Sequence, residues 1–430
     1  MFDLSQIEKI KDEDIREGVR AAISQNLLPA YTNKAYPGHF AIVADGKWFG
    51  PDNTWPGLDS WQMAGAFLLM DMEEGVKGYF DFVQASQRED GNIPFAIWKE
   101  EEYRTPESRT TGARGLRYPD DVFEYVPKDE NYPARKWIGL FTHWVYENPL
   151  CLLGTVCYPL TAAEIFNKTK DTKWLKEKMP SIERACRYIL TKKSAQGLIG
   201  GAGFYIELPP RREWDGITQC YSYKAFRDME RMYAAIGDGD KAEFWGEQAA
   251  SLARAFRRCF WMNGHFAEYI HPEHGPVDFH GLTDVDWAAI GCGLADDGQI
   301  YELWPVLKSE KNFWWGEMPT QAVTKPYTYR DWEFGRPVPF ETNGPIYDMA
   351  AIGRIWFVEM NACLAMGDYE RVKQAVKLVC KMGLKHDGFW FERYHMLQNR
   401  IVSPAGPKGY CEYPAIIARL VLGNMDLFIN

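Results

Sequence analysis

The sequence predicts an all-α fold: twelve helices paired as six antiparallel hairpins, closed into one ring, with long loops on one face and small β-hairpins among them. Three observations predict it. Apolar residues recur at helical spacing in twelve segments. Most of these segments fall into pairs joined by only a few residues, which makes the partners antiparallel neighbours. The gaps between pairs run to roughly 20 to 60 residues, far longer than ordinary loops. When short and long connections alternate in this way, every second helix lies inside the ring and all the long loops share one face.

In chain order, helices are expected near residues 6–25, 59–71, 74–87, 149–167, 171–192 and 217–235, then 238–260, 284–293, 296–308, 347–366, 368–382 and 412–424. The short connections fall inside 59–87, 149–192, 217–260, 284–308 and 347–382. Asp90 followed by Gly91 reads as a turn. HDGFWFERYHM, residues 386–396, alternates apolar positions and suits a short extended strand.

The 430 residues contain no Pro/Ser/Gly linker, low-complexity tract or charge run that would mark a boundary, so residues 1–430 are expected to form a single domain. With 46% hydrophobic and 25% charged residues, the chain can bury a large core. A net charge of −10 argues against nucleic acid, whose phosphates demand a basic surface. MFDLSQIEKIKDEDI alternates acids and bases without an apolar stretch, so no signal peptide is expected, and no segment reaches membrane-spanning length. Cysteines number nine, an odd count; Cys151, Cys157, Cys186, Cys220, Cys363 and Cys380 fall at core-like helix positions and read as reduced thiols of a cytoplasmic protein. No Cys/His spacing suits a metal, and the nearest histidine group, His271, His274 and His280, reads as a chance cluster on a surface hairpin. Neither a phosphate-binding glycine loop nor a GxGxxG is present, so no cofactor is expected.

Seventeen tryptophans are unusual, and many lie in the gaps rather than on helix stripes: Trp48, Trp55, Trp98, Trp137, Trp144, Trp214, Trp314, Trp315, Trp332 and Trp390. Sugars present flat apolar C–H faces ringed by hydroxyls, so stacking aromatics interleaved with acids and amides suit a small carbohydrate ligand. The plainer reading is that the loops pack on one another.

Carboxylates stand just before the inner helices. In LPPRREWDGITQC, Asp215 follows Trp214 at the mouth of a helix, where it either caps backbone N–H groups or projects into the cup. Glu392 sits among Phe391, Arg393 and Tyr394, and Glu412 opens the last helix in KGYCEYPAII. Asp59 lies between Trp55 and Trp61 in TWPGLDSW, as an N-cap or as a grip for sugar hydroxyls. FETNGPIYDMA adds Glu341, Asn343 and Asp348 at another inner helix.

At these motifs the chain resembles the six-hairpin (α/α)6-barrel glycosidases, especially glycoside hydrolase family 63 and its bacterial mannosylglycerate and glucosylglycerate hydrolase relatives. The landmarks follow in order as WPGLDSW, QREDGNIP, RREWDGIT, NGPIYDM and FERYHM. The resemblance implies an (α/α)6 toroid in which Asp215 is the general acid, Glu392 the general base, and Asp59 with its neighbouring tryptophans the holder of the sugar. Candidate substrate contacts are Trp55, Asp59, Trp61, Trp98, Asn148, Trp214, Asn343 and Glu412, and Glu412 is the alternative base. Gly216 stands where the family usually has Asn, Asn343 where Arg is common, and Asn148 precedes Pro149 where Gln-Pro-Pro is frequent. These departures bear on the substrate more than on the reaction.

The expected reaction is inverting hydrolysis of a small α-linked glucoside or mannoside, its two carboxyl groups about 6.5 to 9.5 Å apart to admit water. Burial beside Trp214 would keep Asp215 protonated, opposed by Arg211 or Arg212 if either points inward. A sugar 2-epimerase or isomerase, an unsaturated glucuronyl hydrolase and a non-catalytic sugar-binding protein are the alternatives.

Overall fold

The computed structural model describes residues 4–32, 40–45, 53–54, 56–93, 96–99, 110–111, 116–117, 123–126, 137–140, 152–201, 204–206, 211–315, 317–325, 328–334, 350–396 and 402–429. Trp48, Trp55, Trp144, Asn148, Cys151, Glu341, Asn343 and Asp348, and the side chains of Trp98, Trp137 and Trp315, lie outside the described residues.

Helices form where the apolar spacing places them. They are α1 Glu13–Ala21, running on through Ala22–Leu27 into α2 Leu28–Thr32, then α3 Leu58–Leu69, α4 Glu73–Gln84, α5 Leu153–Thr169, α6 Thr172–Thr191, α7 Gly216–Ile236 and α8 Gly239–Phe260. Further on come α9 Asp284–Gly291, α10 Asp297–Ser309, α11 Gly353–Met366, α12 Tyr369–Lys385, α13 Glu412–Leu422 and the short α14 Asp426–Ile429. None of the described helices is long and apolar enough to cross a membrane.

Three of the hairpin turns repeat one device. A residue in left-handed backbone ends the first helix, and an aspartate directly after it caps the next. Lys170 (φ 52°), Gly237 (φ 83°) and Gly367 (φ 71°) precede Asp171, Asp238 and Asp368. Those carboxylates accept from the N–H groups of Trp174, Lys241 and Arg371 at 3.0, 3.2 and 3.3 Å. Each cap stabilises its helix by about 1 kcal/mol, and glycine adopts the left-handed conformation at little cost because it has no Cβ. A two-residue turn of this kind leaves the second helix no course but back along the first.

Burial separates an inner from an outer layer. α5 is buried without interruption from Leu153 to Ala163 and α13 from Glu412 to Ala418, whereas α12 buries a stripe through Val372, Ala375, Val376, Val379 and Cys380. Inside, α3 packs on α5, α5 on α7, α7 on α9, α9 on α11, α11 on α13 and α13 on α3, which closes the ring. α1 packs on α12, and the helical turns after it pack on α13, so the first and last ring helices form the sixth pair. Because one antiparallel outer helix separates successive inner ones, all six inner helices run the same way. Their N-termini open on the face of the long connections.

Three alternate inner helices send an aromatic into the middle. Trp61 of α3 meets Tyr221 of α7 and Phe357 of α11 edge-on, at 5.3 and 5.8 Å between ring centres. The Arg419 guanidinium of α13 covers Trp61 and Phe357 at 5.6 and 5.0 Å, and Glu164 of α5 binds both Arg419 (2.7 Å) and the Trp61 indole N–H (2.8 Å). This layer is the floor of a cup.

The helix expected from 347 begins instead at Gly353. Ala350–Ile352 is a strand whose Ala350 lies opposite His395 and Ile352 opposite Arg393, and the strand Phe391–Met396 pairs in turn with Val402–Lys408. Pairing with a distant strand takes backbone that local spacing assigns to the helix. The expected extended segment near 386–396 thus forms over its second half, and the Asp90–Gly91 turn also forms, with Gly91 at φ 100° and the Asn92 N–H on Asp90 Oδ1 at 3.0 Å.

Trp390 lies fully buried on α12, its N–H on the Val379 carbonyl at 2.9 Å and its ring where a Cβ on Gly383 would fall 2.1 Å away. Gly383→Ala is therefore expected to destabilise the fold by about 1–3 kcal/mol through overpacking. Urea denaturation of the two proteins measures it, and an unchanged midpoint would contradict the close approach.

Candidate active site

Two arginine-centred clusters stand at the open face. The first lies at the mouths of α7 and α9. Trp214 and Asp215 pair with Ile270 and Tyr269 of a neighbouring hairpin, which fixes the backbone entering α7. Asp215 is the N-cap of α7: Oδ2 accepts from the Thr218 N–H (3.0 Å), the Thr218 hydroxyl (3.0 Å) and the Phe204 N–H (3.1 Å). Among the described residues its Oδ1 has one long contact, with Arg211 Nη1 at 3.4 Å.

Arg211 points inward and meets three carboxylates. Its Nε donates to Glu268 at 2.7 Å, and its two terminal nitrogens grip Asp284, the first residue of α9, at 2.9 and 3.0 Å. Tyr205 donates to Asp284 at 2.6 Å. Glu268 is also bound by His280, which reaches Glu333 at 3.2 Å, and Tyr269 donates to Glu333 at 2.9 Å. All these side chains except Tyr205 are at most 1% exposed.

Burial decides the protonation here. It pushes Asp215 up to about 6, against the pull of Arg211 and with the help of Asp284. Asp284 is also raised by burial, though Arg211 opposes the shift. Glu268 shares the burial, but Arg211 and His280 together hold it at about 2. Burial disfavours the His280 cation, yet Glu268 and Glu333 lift it to about 10.

The second cluster lies at the mouths of α3, α11 and α13. Arg354, in the first turn of α11, binds Glu412 at 2.9 Å and approaches Asp59 at 3.5 Å, while the Tyr410 hydroxyl donates to Asp59 at 2.8 Å. Glu412 is wholly buried and burial pushes it up to about 8, opposed by Arg354. Glu392 faces the same group from the strand Phe391–Met396 and keeps a 20% exposed side chain, paired with Arg393 at 3.0 Å. It lies across Gly406 (φ 83°) of the next strand, where a Cβ would come within 2.6 Å of its carboxylate. In a ring of six, α7 and α13 stand opposite each other, so the clusters face across the mouth, and positive helix ends favour anions at both.

The fold thus brings Asp59, Glu392 and Glu412 together and places Asp215 on the far side. Of the two oxygens of Asp215, Oδ2 forms the cap. Trp214 is half-buried beside it, whereas Trp61 belongs to the floor at 1% exposure and offers no open face for stacking. Trp314 bonds Glu359 under Arg371, and Trp332 stacks on His274 at 4.1 Å, so these loop aromatics do pack on other groups. His271 and His274 are neighbours, while His280 belongs to the buried cluster.

Sequence reasoning missed Asp284, Arg354, Tyr410, Glu268 and Glu333. A signal existed for Asp284 only indirectly, since in TDVD the capping box of Thr283 and Asp286 marks a helix mouth and puts Asp284 in its first turn. Nothing local marks Arg354 or Tyr410.

No family model matches the chain, and no curated protein matches it in sequence. Solved structures do resemble it. The GH78 family rhamnosidase of Bacillus sp. GL1 superposes with a TM-score of 0.60 at 14% identity over 97% of this chain, which spans 35% of that protein. A rhamnosidase from Klebsiella oxytoca with rhamnose bound gives 0.62 at 12% identity over 96%, this chain spanning 64% of it. The GH63 mannosylglycerate hydrolase from Thermus thermophilus in complex with glucose gives 0.60 at 13% identity, over 94% of this chain and 98% of that one. The chain has the (α/α)6 toroid fold of these six-hairpin glycosidases.

Proposed function

We propose that the protein is a glycoside hydrolase acting by an inverting acid/base mechanism on a small α-linked glucoside or mannoside. One observation carries this reading: across the mouth of the ring, Asp215, buried and raised to about 6, stands opposite the partly exposed Glu392. One carboxyl must deliver a proton to the leaving oxygen and the other must take one from water on the opposite face of the sugar. With Oδ2 of Asp215 committed to three donors, Oδ1 is the oxygen left to carry that proton. The same burial suits a small substrate brought down into the cup better than a polymer lying across it.

Glu392 is the better base of the two candidates. It meets solvent, whereas Glu412 is sealed against Arg354 and favours its proton. In the step itself, water attacks the anomeric carbon and gives its proton to Glu392, while the exocyclic C–O bond breaks and Asp215 protonates the departing oxygen. Asp59, held by Tyr410 and Arg354, is set to accept sugar hydroxyls from the same side. Every described cysteine is a free thiol, which fits a reducing cytoplasm.

The test is a panel of α- and β-linked disaccharides and glycosylglycerates assayed for released monosaccharide, followed by proton NMR of the fresh product of any that is cleaved. An α-linked substrate should first yield the β anomer. First appearance of the α anomer would reject inversion, and internal cleavage of long polymers would reject a closed pocket.

A further inference from the structure

The Arg211 cluster holds more acid than one guanidinium can compensate, and the three carboxylates are not served equally. Glu268 has the Arg211 Nε and His280 behind it. Asp284 takes the two-pronged side of the guanidinium and the Tyr205 hydroxyl. Asp215 receives only the remaining edge of Nη1 at 3.4 Å, beyond good hydrogen-bond length, and its cap donors all address the other oxygen. Asp284 therefore competes with Asp215 for Arg211, the one cation that bonds Asp215 among the described residues, and adds a negative charge of its own.

We propose that Asp284, seconded by Tyr205, is a positioning residue that reserves Arg211 for itself and so leaves the proton of the Arg211 cluster on Asp215. This rests on the reading of Asp215 as the acid of a glycoside hydrolase. The groups around Asp215 are Arg211 and Tyr205 on the segments before α7, Thr218 and Cys220 on α7, Glu268 and Tyr269 on the hairpin, and Asp284 on α9. Asp286, one turn-face away on α9, is bound by the Phe266 and Thr283 N–H groups at 2.8 Å each, and His280 and Glu333 form the next tier. Among these, Asp284 alone both repels the Asp215 anion and occupies the fork of its counter-ion.

Asp284→Asn keeps the shape and removes the charge. Arg211 is then free to pair with Asp215, whose affinity for a proton should fall by about one pH unit or more. Two measurements read this. In kcat/KM, the alkaline limb should move towards acid by about that amount, leaving activity at pH 7 about tenfold lower or worse while the acid limb stays in place. The second needs no activity. A carboxyl whose folded value is raised stabilises fully below its unfolded value and loses that contribution as pH climbs through the folded one. The melting-temperature difference between the unsubstituted protein and Asp215→Asn should therefore fall between about pH 4 and 6, then level off. Set in an Asp284→Asn background, this fall should shrink and end at lower pH.

An unmoved fall in that background overturns the proposal, as does a uniform loss of stability or rate with both pH dependences intact, the mark of a merely structural aspartate. If no glycoside is cleaved by any of the proteins while the melting step moves as described, the hydrolase reading fails and the proton assignment stands. Should Asp284→Asn not fold, Tyr205→Phe serves: it deprives Asp284 of the donor that favours its anion, so a smaller shift in the same direction is expected, and none at all would overturn the proposal.

Discussion

Asp215→Asn and Glu392→Gln are each expected to lower kcat/KM for glycoside hydrolysis by about 10²- to 10⁴-fold, the usual contribution of a positioned acid or base. Neither change should unfold the protein. Asparagine is as good an N-cap as aspartate, so Oδ1 of the new side chain can still accept from Thr218 and Phe204, while Glu392 is partly exposed on a hairpin. The unsubstituted protein should lose activity as pH rises through about 6, where Asp215 gives up its proton, and that limb should be absent from whatever rate Asp215→Asn retains. Glu412→Gln provides the contrast. Its carboxyl is buried against Arg354 and away from solvent, so the rate should fall less than with Glu392→Gln. Initial rates on one cleaved substrate across a pH series decide the matter; a larger loss from Glu412→Gln would transfer the role of base to Glu412.

The largest effect on stability is expected at the floor of the cup. Trp61→Ala removes a ring that is 1% exposed and that touches Tyr221, Phe357 and Arg419 at once. A loss of about 3–5 kcal/mol follows from the lost burial and the cavity left behind. Glu164 and Arg419 would remain paired, but without the indole that covers the guanidinium. Trp61→Phe should cost less, since it keeps both edge-on contacts and forfeits only the bond to Glu164. Equilibrium unfolding in urea measures both, and a Trp61→Ala protein with an unchanged midpoint would mean that the ring is not plugged by this layer.

Much of the ring was legible in the sequence, because alternating short and long connections are a one-dimensional record of it. Turns such as Gly237–Asp238 and Gly367–Asp368 are equally local, since one residue supplies the left-handed bend and the next the cap. The site was legible only in part. Asp215, Asp59 and Glu412 could be placed at helix mouths by phase alone, but their partners could not, because Arg354 and Tyr410 reach Asp59 only when the ring closes. Trp61 shows a different failure. It looks like a rim aromatic beside Asp59, yet two residues along a helix is a turn of about 200°, so the indole points away from the carboxylate and into the barrel. Asp284 was obscured by its neighbours, since Thr283 and Asp286 form the capping box of α9 and an acid in the first turn of a helix is unremarkable until Arg211 is seen beside it.

The seam at which α13 meets α3 and the helical turns after α1 gives the molecule the character of a split washer. Hairpins can form in turn as a nascent chain emerges, but the gap stays open until α13 has left the ribosome. Until then the apolar flanks of α3 and α11 have no cover, a surface suited to a chaperone's grip. Snapping the washer shut also brings Glu412 and Tyr410 to Arg354 and Asp59, so any chemistry at the mouth should switch on abruptly when the ring closes rather than build up as helices are added.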